Sequence, residues 1–493
     1  MVTSNLAFKE KNSIEPEVVV NESPVKWCAV ALSDVVARGK RLEASVFDVE
    51  AKQARATVVN GKYKWHALGG KDGLIQNAYY PGRFKRIYCD KRTGEAFYLP
   101  SQMAEVYPKS EKYISALTKC DISELRLKPN TLLLTRSGTI GTVSLVSKTT
   151  QGRVYSDDVI RVSFNEVYDT GFVYTFLKSK TGSKILTTNG YGSVITHLEP
   201  EHLATIPIPD APTMLKKKIH DLIVRSYELR DESNDLIDQA TALLIDELKL
   251  PDIDAFDVGL YKKAAPVDTF SVRLSEMSGR LDASYHVPIV NAIVEHLSQH
   301  AEEVTTVGDS RISREVILPG RFKRVYVDEG YGRVLIGGKQ LSELDPSSKK
   351  YLSTAKHDKM LKKLEVHEGT TLITRSGTIG KIAIVPKHWE HYIPSDHIIR
   401  VIPANKDIAG YLNIFLASDY GKALITRFTY GSVVDEIDDN HVRQIAIPLL
   451  KNHEVQKRIN DLALEANEKR YQAYLLEQEA LQIMDRDVIY AKK

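Results

Sequence analysis

Cysteine is scarce in this chain. Cys28, Cys89 and Cys120 are the only three, and they stand far apart with no C-x-x-C pair. A disulfide framework or a zinc cluster is not expected, and a reducing cytoplasm is the expected compartment. Long apolar runs are missing too: no stretch approaches the ~18 residues that a spanning helix needs. The opening segment MVTSNLAFKEKNSIEPE is polar and has no apolar core of a secretory signal, so residues 1–26 read as a flexible leader. Excess charge is likewise absent. The formal net charge of +3 excludes a histone-like polycation but permits a local basic face.

Catalytic signatures are missing as a group. A Gly-rich cofactor turn with an Asn/Asp-Pro-Pro-aromatic tetrapeptide, as in base methyltransferases, does not occur; DPSS at Asp345 is not that motif. Pro251-Asp252 lacks the downstream carboxylate and lysine of a nuclease core, and Glu247-Leu248-Lys249 lies upstream of it. Neither G-x-S-x-G nor H-E-x-x-H is found, and no Gly-rich segment ends in the Lys-Ser/Thr of a nucleotide-binding loop.

What the chain has is repetition. TRSGTIG occurs at Thr135–Gly141 and again at Thr374–Gly380. PGRFKR at Pro81–Arg86 returns at Pro319–Arg324, and KYIS at Lys112–Ser115 returns as KYLS at Lys350–Ser353. SDDVIRV at Ser156–Val162 matches SDHIIRV at Ser395–Val401; YGSV at Tyr191–Val194 matches Tyr430–Val433; RLEAS at Arg41–Ser45 matches RLDAS at Arg280–Ser284. Six matches in one order at a nearly constant offset make the chain two copies of one unit of roughly 210 residues, far longer than a solenoid repeat. Two such units in one chain imply a pseudo-dimer. Hydrophobic residues are 43% of 493, enough for several cores.

Each copy begins with short β-prone runs punctuated by Gly and Pro. TLLLTRSGTIGTVSLVS reads as strand, turn, strand, while Gly182–Gly190 and Gly421–Phe428 read as short helices. IPIP at Ile206–Pro209 and AIP at Ala446–Pro448 close the two domains, each α/β or α+β in class. The pattern then changes to a 3.5-residue period. Ile219, Leu222, Ser226, Leu229, Ser233, Leu236, Ala240 and Leu243 form one seam. Ile459, Leu462, Ala466, Lys469, Ala473, Leu476, Ala480 and Ile483 form the other. Alternate layers are small, which lets two helices approach closely. Each helix should hold about 35 residues and span roughly 50 Å at ~1.5 Å per residue. Between Asp221 and Glu247 eight acidic residues stand against Arg225 and Arg230, so this helix face is not expected to lie on DNA. The plan is a domain over 27–212, a helix over 213–250, a linker over 251–270, a domain over 271–451 and a helix over 452–490.

The retained motifs are the candidate site. Arg83, Lys85 and Arg86, with Arg321, Lys323 and Arg324, place three cations around a phenylalanine, suited to phosphates or to guanine edges. The alternative is a solvated turn with Phe84 packed inward. TRSGTIG offers Arg136, Ser137 and Thr139, and in the second copy Arg375, Ser376 and Thr378, on a glycine turn through which backbone can approach a phosphate. A plain hairpin turn is the competing reading. Tyr191 and Tyr430 carry hydroxyls that would touch DNA backbone or finish a strand. Asp157 and Asp396 would be repelled by phosphate and are expected to cap. Residues 60–80 do not match 300–318, nor 142–155 match 381–394, as expected of diverged loops reading different sequences. In HWEH, His388 and His391 have a spacing a metal could use, but no third ligand is near in sequence, so no metal site is expected.

Two diverged domains, each followed by a long helix, with TRSGTIG, RLDAS and an Ile-Pro closure before the helix, resemble the specificity (S) subunit of Type I restriction–modification systems over residues 27–490. The resemblance implies two target recognition domains in pseudo-two-fold arrangement, joined by two long antiparallel coiled-coil helices. It implies that each domain reads half of a split double-stranded DNA target, and that the helix pair is a ruler for the gap. Half-sites one turn apart lie ~34–36 Å centre to centre, within the reach of such helices. It further implies no catalysis and no cofactor in this chain. S-adenosylmethionine, ATP and Mg²⁺ would sit on partners: two DNA adenine methyltransferase (modification) subunits and restriction/translocase subunits. Three other readings stay open: a recognition subunit for a fused methyltransferase–nuclease, a self-sufficient DNA enzyme, and a protein-binding adaptor.

Overall fold

The computed structural model describes residues 30–37, 47–190, 196–257, 262–264, 267–277, 279–431 and 433–492. The leader, RLEAS, Tyr191 and part of the linker lie outside these. The chain divides into two compact units. Among the described residues, the first holds the stretch up to Asn234 together with 342–344 and 472–492, and the second holds 235–341 and 345–471. Among the described residues no helix is long and apolar enough to cross a membrane.

In the first unit a four-stranded antiparallel sheet has the order Ile75–Tyr79, Val159–Phe164, Leu132–Thr135, Val143–Leu145. A second sheet runs Tyr88–Cys89, Lys112–Ser115, Gly94–Tyr98, Val154–Tyr155, with only its last pair parallel. The second unit repeats both: Ser313–Ile317, Ile398–Pro403, Thr371–Thr374, Ile382–Ile384, and Tyr326–Val327, Lys350–Ser353, Gly332–Ile336, Ile393–Pro394. Even the bulge recurs, between Ile75 and Asn77 and between Ser313 and Glu315. Trp65–Ala67 pairs with Pro207–Pro209, and Glu303–Thr306 pairs with Ala446–Leu449. Thus IPIP and AIP do sit on each domain's closing strand.

These pairings correct one expectation. Residues 60–80 and 300–318 are not diverged loops: each carries the same two strands. Residues 142–155 and 381–394 are likewise matched strand for strand. Backbone ladders accept many side chains provided the inward positions stay apolar, so identity faded while topology held. The clear local difference falls elsewhere. The second copy has an 11-residue helix at Thr354–Leu364, where the first has a loop and one short turn, Ile122–Leu125.

Helices cover the main sheets. Val167–Lys178 and Lys180–Thr188 in the first unit correspond to Lys406–Ala417 and Asp419–Thr426 in the second. Ser179 and Ser418 cap the second helix of each pair, their side chains accepting from the amides of Gly182 and Gly421. A Cβ at Gly182 would lie 1.9 Å from the Phe176 carbonyl oxygen, so only glycine permits this corner. Each domain seats its first covering helix on a long helix: the Gly171 amide donates to His220 Nδ1 at 3.2 Å, and the Gly410 amide to Asn460 Oδ1 at 2.8 Å.

The long helices are Thr213–Glu247 and His453–Ile483, the latter continuing as a π-helical turn, Met484–Ile489. Each contributes one stretch to each unit. In the first unit the two stretches run antiparallel: Ile219 and Ile223 share a core with Ala480 and Ile483, while Leu229 packs with Ala473. In the second unit Ala240 and Leu244 share a core with Ile459 and Leu462. The small layers are buried as expected at Ser226, Ser233, Ala240, Ala466, Ala473 and Ala480. The Ser226 hydroxyl donates to the Ala473 carbonyl at 2.7 Å.

The strict 3.5-residue seam needs correction at five places. Leu222, Leu236, Leu243, Lys469 and Leu476 are only partly buried, whereas Ile223, Leu244 and Glu477 are buried fully. Each helix packs on its domain as well as on the other helix, and that wider stripe follows the 3.6-residue period of a straight helix. Glu477 is the surprise. Its carboxylate pairs with Lys178 and Arg230 and accepts from the Tyr174 hydroxyl at 3.0 Å. Burial works to raise its pKa, but the two cations outweigh it and hold the group down at about 2.

Candidate nucleic-acid interface

The loop carrying PGRFKR follows strand Ile75–Tyr79 and alternates like an extended chain. Arg83 and Lys85 are exposed; Phe84 and Arg86 turn inward. Phe84 meets Phe97 edge-on at 6.4 Å between centroids. Arg86 donates to Asp157 Oδ1 at 2.5 Å and to Ser156 Oγ at 3.2 Å. The second copy does the same: Arg321 and Lys323 are exposed, Phe322 is half-buried, and Arg324 pairs with Asp396. Asp157 and Asp396 therefore do not cap a helix. They hold the last cation of the motif, and Arg86 and Arg324 are removed from the freely available set. None of Arg83, Lys85, Arg321 and Lys323 makes an ion pair among the described residues, which leaves these cations facing solvent.

TRSGTIG turns at the end of strand Leu132–Thr135. Gly138 and Gly141 take φ of +80° and +93°, and Gly377 and Gly380 take +74° and +77°, which explains why both glycines recur. The arginine does not point outward as expected. Arg136 is 6% exposed; it donates to Glu199 Oε1 at 2.7 Å and stacks over the Tyr80 ring at 4.1 Å. Arg375 pairs with Glu436 and donates from Nε to the Ile437 carbonyl at 3.1 Å. Guanidinium groups paired in this way are turned into the rim and away from open solvent. Ser137 Oγ donates to Asp158 Oδ1 at 3.0 Å and lies 2.9 Å from His197 Nδ1, and Ser376 Oγ lies 2.6 Å from His397 Nδ1. Both serines are thus engaged within the domain. Thr139 and Thr378 remain exposed at the tip.

The repeated motifs converge. Asp158, beside Asp157, joins Ser137 and Arg136 and lies 3.9 Å from Arg86. In the second domain Ser376 and Tyr430 each bridge to Glu436, drawing the YGSV loop onto the TRSGTIG turn. Tyr430 is 40% exposed, and Val433, two residues past the φ +121° turn at Gly431, is 93% exposed. An apolar side chain held out at a loop tip suits wedging into a groove. The corresponding Tyr191 lies outside the described residues. Each domain thus presents one rim on which motifs distant in sequence meet, its inner charges paired and its outer cations facing solvent.

One basic element lies outside the repeated motifs. Helix Thr354–Leu364 adjoins the second PGRFKR loop, with Phe322 against His357 at 5.7 Å. It exposes Lys356, Lys359, Lys362 and Lys363. Their spacing of three and four residues marks one basic helical face, a signal present in the sequence but absent from the first copy and so invisible to a comparison of repeats.

Residues 345–462 match the family described as Type I restriction modification DNA specificity domain. No curated protein matches the chain. Among solved structures, the S subunit of a Type I restriction-modification system from M. genitalium is 13% identical. It covers 87% of this chain and 96% of its own, with a TM-score of 0.29. The HsdS subunit from Thermoanaerobacter tengcongensis is 11% identical, covering 87% and 98%, with a TM-score of 0.25.

Proposed function

We infer that the chain is the DNA-recognition subunit of a Type I restriction–modification system, because residues 345–462 match the DNA specificity domain of such systems and the first copy repeats the topology of the second. The repeated strand order carries this reading: the family match at residues 345–462 lies within the second copy, and the same two sheets in the first support a second reader. Two readers in one chain suit a bipartite duplex target, one half-site to each domain.

Arg83, Lys85, Arg321, Lys323 and the lysines of Thr354–Leu364 are placed to meet phosphates, which set affinity and register. Thr139, Thr378 and Tyr430 stand at the tips, where base edges or sugars would be read. The two domains differ in their exposed side chains while sharing a scaffold, as two readers of unlike half-sites should. The long helices act as the ruler that sets the gap and as the platform for partners. Catalysis belongs to those partners: adenine-methylating modification subunits carrying S-adenosylmethionine, two per recognition subunit, and restriction subunits carrying ATP and Mg²⁺. The working compartment is the cytoplasm, where the DNA is.

Mapping methylated adenines in a host with and without this gene tests the proposal. The expected result is a set of sites, present only with the gene, that share two short half-sites at one fixed gap. Methylation independent of the gene would overturn it, and so would turnover of DNA by the pure chain supplied with Mg²⁺ and S-adenosylmethionine.

A further inference from the structure

HWEH holds two histidines that the fold sends to different places. His388 stacks on Tyr471, with ring centroids 6.0 Å apart. His391 turns instead toward His367, a residue of the turn before strand Thr371–Thr374, with rings 5.6 Å apart and nearly perpendicular. Glu390 joins them: His367 Nδ1 lies 2.5 Å from Glu390 Oε1. One donor atom from each of His367, Glu390 and His391 falls within 4.8 Å of the others. Behind them Glu365 Oε2 lies 3.1 Å from His391 Nδ1. The two turns are tied by backbone as well, His391 N donating to the Val366 carbonyl at 2.9 Å and Glu368 N to Glu390 Oε2 at 2.8 Å.

The first domain is an internal control. The same crossing is made there by Gly152 N donating to the Leu127 carbonyl at 2.9 Å. Gly152 has φ +76° and His391 has φ +66°, so a histidine occupies a left-handed position that its sister copy fills with glycine. The other donors are also replaced: Lys128 stands at the place of His367, Gln151 at that of Glu390, and Arg126 at that of Glu365. The scaffold therefore closes without these side chains. A Cβ held at positive φ where the fold accepts glycine points to a role beyond folding.

We propose that His367, Glu390 and His391 form a site for a divalent transition-metal ion of the zinc class, with Glu365 as the outer carboxylate that orients His391. Two imidazoles and a carboxylate are a donor set that zinc takes. Glu365 lies within ion-pair distance of His391 Nδ1, which places a carboxylate behind this ligand as in many histidine metal sites. The ion would replace the proton shared by His367 and Glu390, and water would complete its coordination. Bound there, it clips the turn at 365–370 to the turn at 387–391. The inference does not depend on the function proposed above.

The full chain, free of any added histidine tag, is titrated with Zn²⁺ by calorimetry, with Co²⁺ absorption as the optical probe and Mg²⁺ as the hard-cation control. One equivalent of Zn²⁺ is expected to bind and to raise the melting temperature. His391→Gly, which installs the first domain's residue and relieves the backbone, should fold at least as well without metal yet bind at least tenfold more weakly. His367→Gln should weaken binding similarly, and Glu365→Gln by about tenfold. Zn²⁺ binding of equal strength in wild type, His391→Gly and His367→Gln would overturn the site, as would binding no tighter for Zn²⁺ than for Mg²⁺.

Discussion

The two domains answer the same structural demand with opposite charges. In the first, Arg126 pairs with Glu95 at 3.2 Å; at the corresponding positions of the second, Glu365 pairs with Arg333 at 3.1 Å. The contrast is sharper along the long helices. Glu477 in the first unit is fully buried between Arg230 and Lys178, while the matching position in the second is Ile237, and Asn413 and Ala417 stand where the first has Tyr174 and Lys178. The geometry of a layer is what duplication preserved. Whether an ion-paired carboxylate or an isoleucine fills that layer was free to change, since apolar packing of similar volume can stand in for a buried ion pair.

Removing Glu477 should break this comparison most severely. Glu477→Ala leaves two cations facing a dry carboxylate-sized gap and is expected to cost about 3–5 kcal/mol. Ile237→Ala at the matching, half-buried place should cost about 1–2 kcal/mol. Urea unfolding of both variants checks the difference, and equal losses would mean that the charged layer is no more critical than the apolar one. The same carboxylate makes the first unit acid-sensitive. Its folded pKa of about 2 lies below the ordinary carboxylate value, so its stabilisation is complete above roughly pH 4.3 and is lost as pH falls toward 2. Glu477→Gln should flatten that part of the stability profile.

A smaller effect separates the rim's inner and outer cations. Arg136→Ala should destabilise the first domain by about 1–3 kcal/mol, because a buried guanidinium and its ion pair with the part-buried Glu199 are lost. Arg83→Ala and Lys85→Ala should leave stability within about 0.5 kcal/mol. Each should instead reduce the slope of log affinity for DNA against log salt by about one. Wild-type DNA binding by the Arg83/Lys85 double variant would remove those cations from the interface.

The charge swap itself is the finest probe. Glu95→Arg alone sets two arginines together, and Glu95→Arg with Arg126→Glu rebuilds the second domain's arrangement in the first. A double-mutant cycle should return about 0.5–1 kcal/mol of coupling, small because both side chains are more than 40% exposed. Zero coupling would make the pair incidental.

Much of this was legible in the letters, because duplication substitutes for a family of relatives. Thr213–Glu247 and His453–Ile483 announce themselves by period and length, and TRSGTIG by the glycines that its left-handed turns require. What escaped did so for physical reasons. Strands Trp65–Ala67 and Glu303–Thr306 are equivalent without resembling each other, since a ladder constrains backbone more than side chain. Arg136 looked like a DNA contact because its partner, Glu199, lies 63 residues away and no local pattern links them. His367 and His391 are brought together only by the fold, so the spacing within HWEH could not show their proximity.

The first unit is finished by residues 472–492, at the far end of the chain. Ile219 and Ile223 are covered by Ala480, Ile483, Met484 and Val488, which the ribosome supplies about 260 residues later. The first unit is therefore completed only after the second unit's residues have been made. Until the final helix emerges, its apolar stripe must wait uncovered or be sheltered by a chaperone. A chain interrupted before Gln472 would accordingly lose the integrity of its beginning while keeping most of its middle.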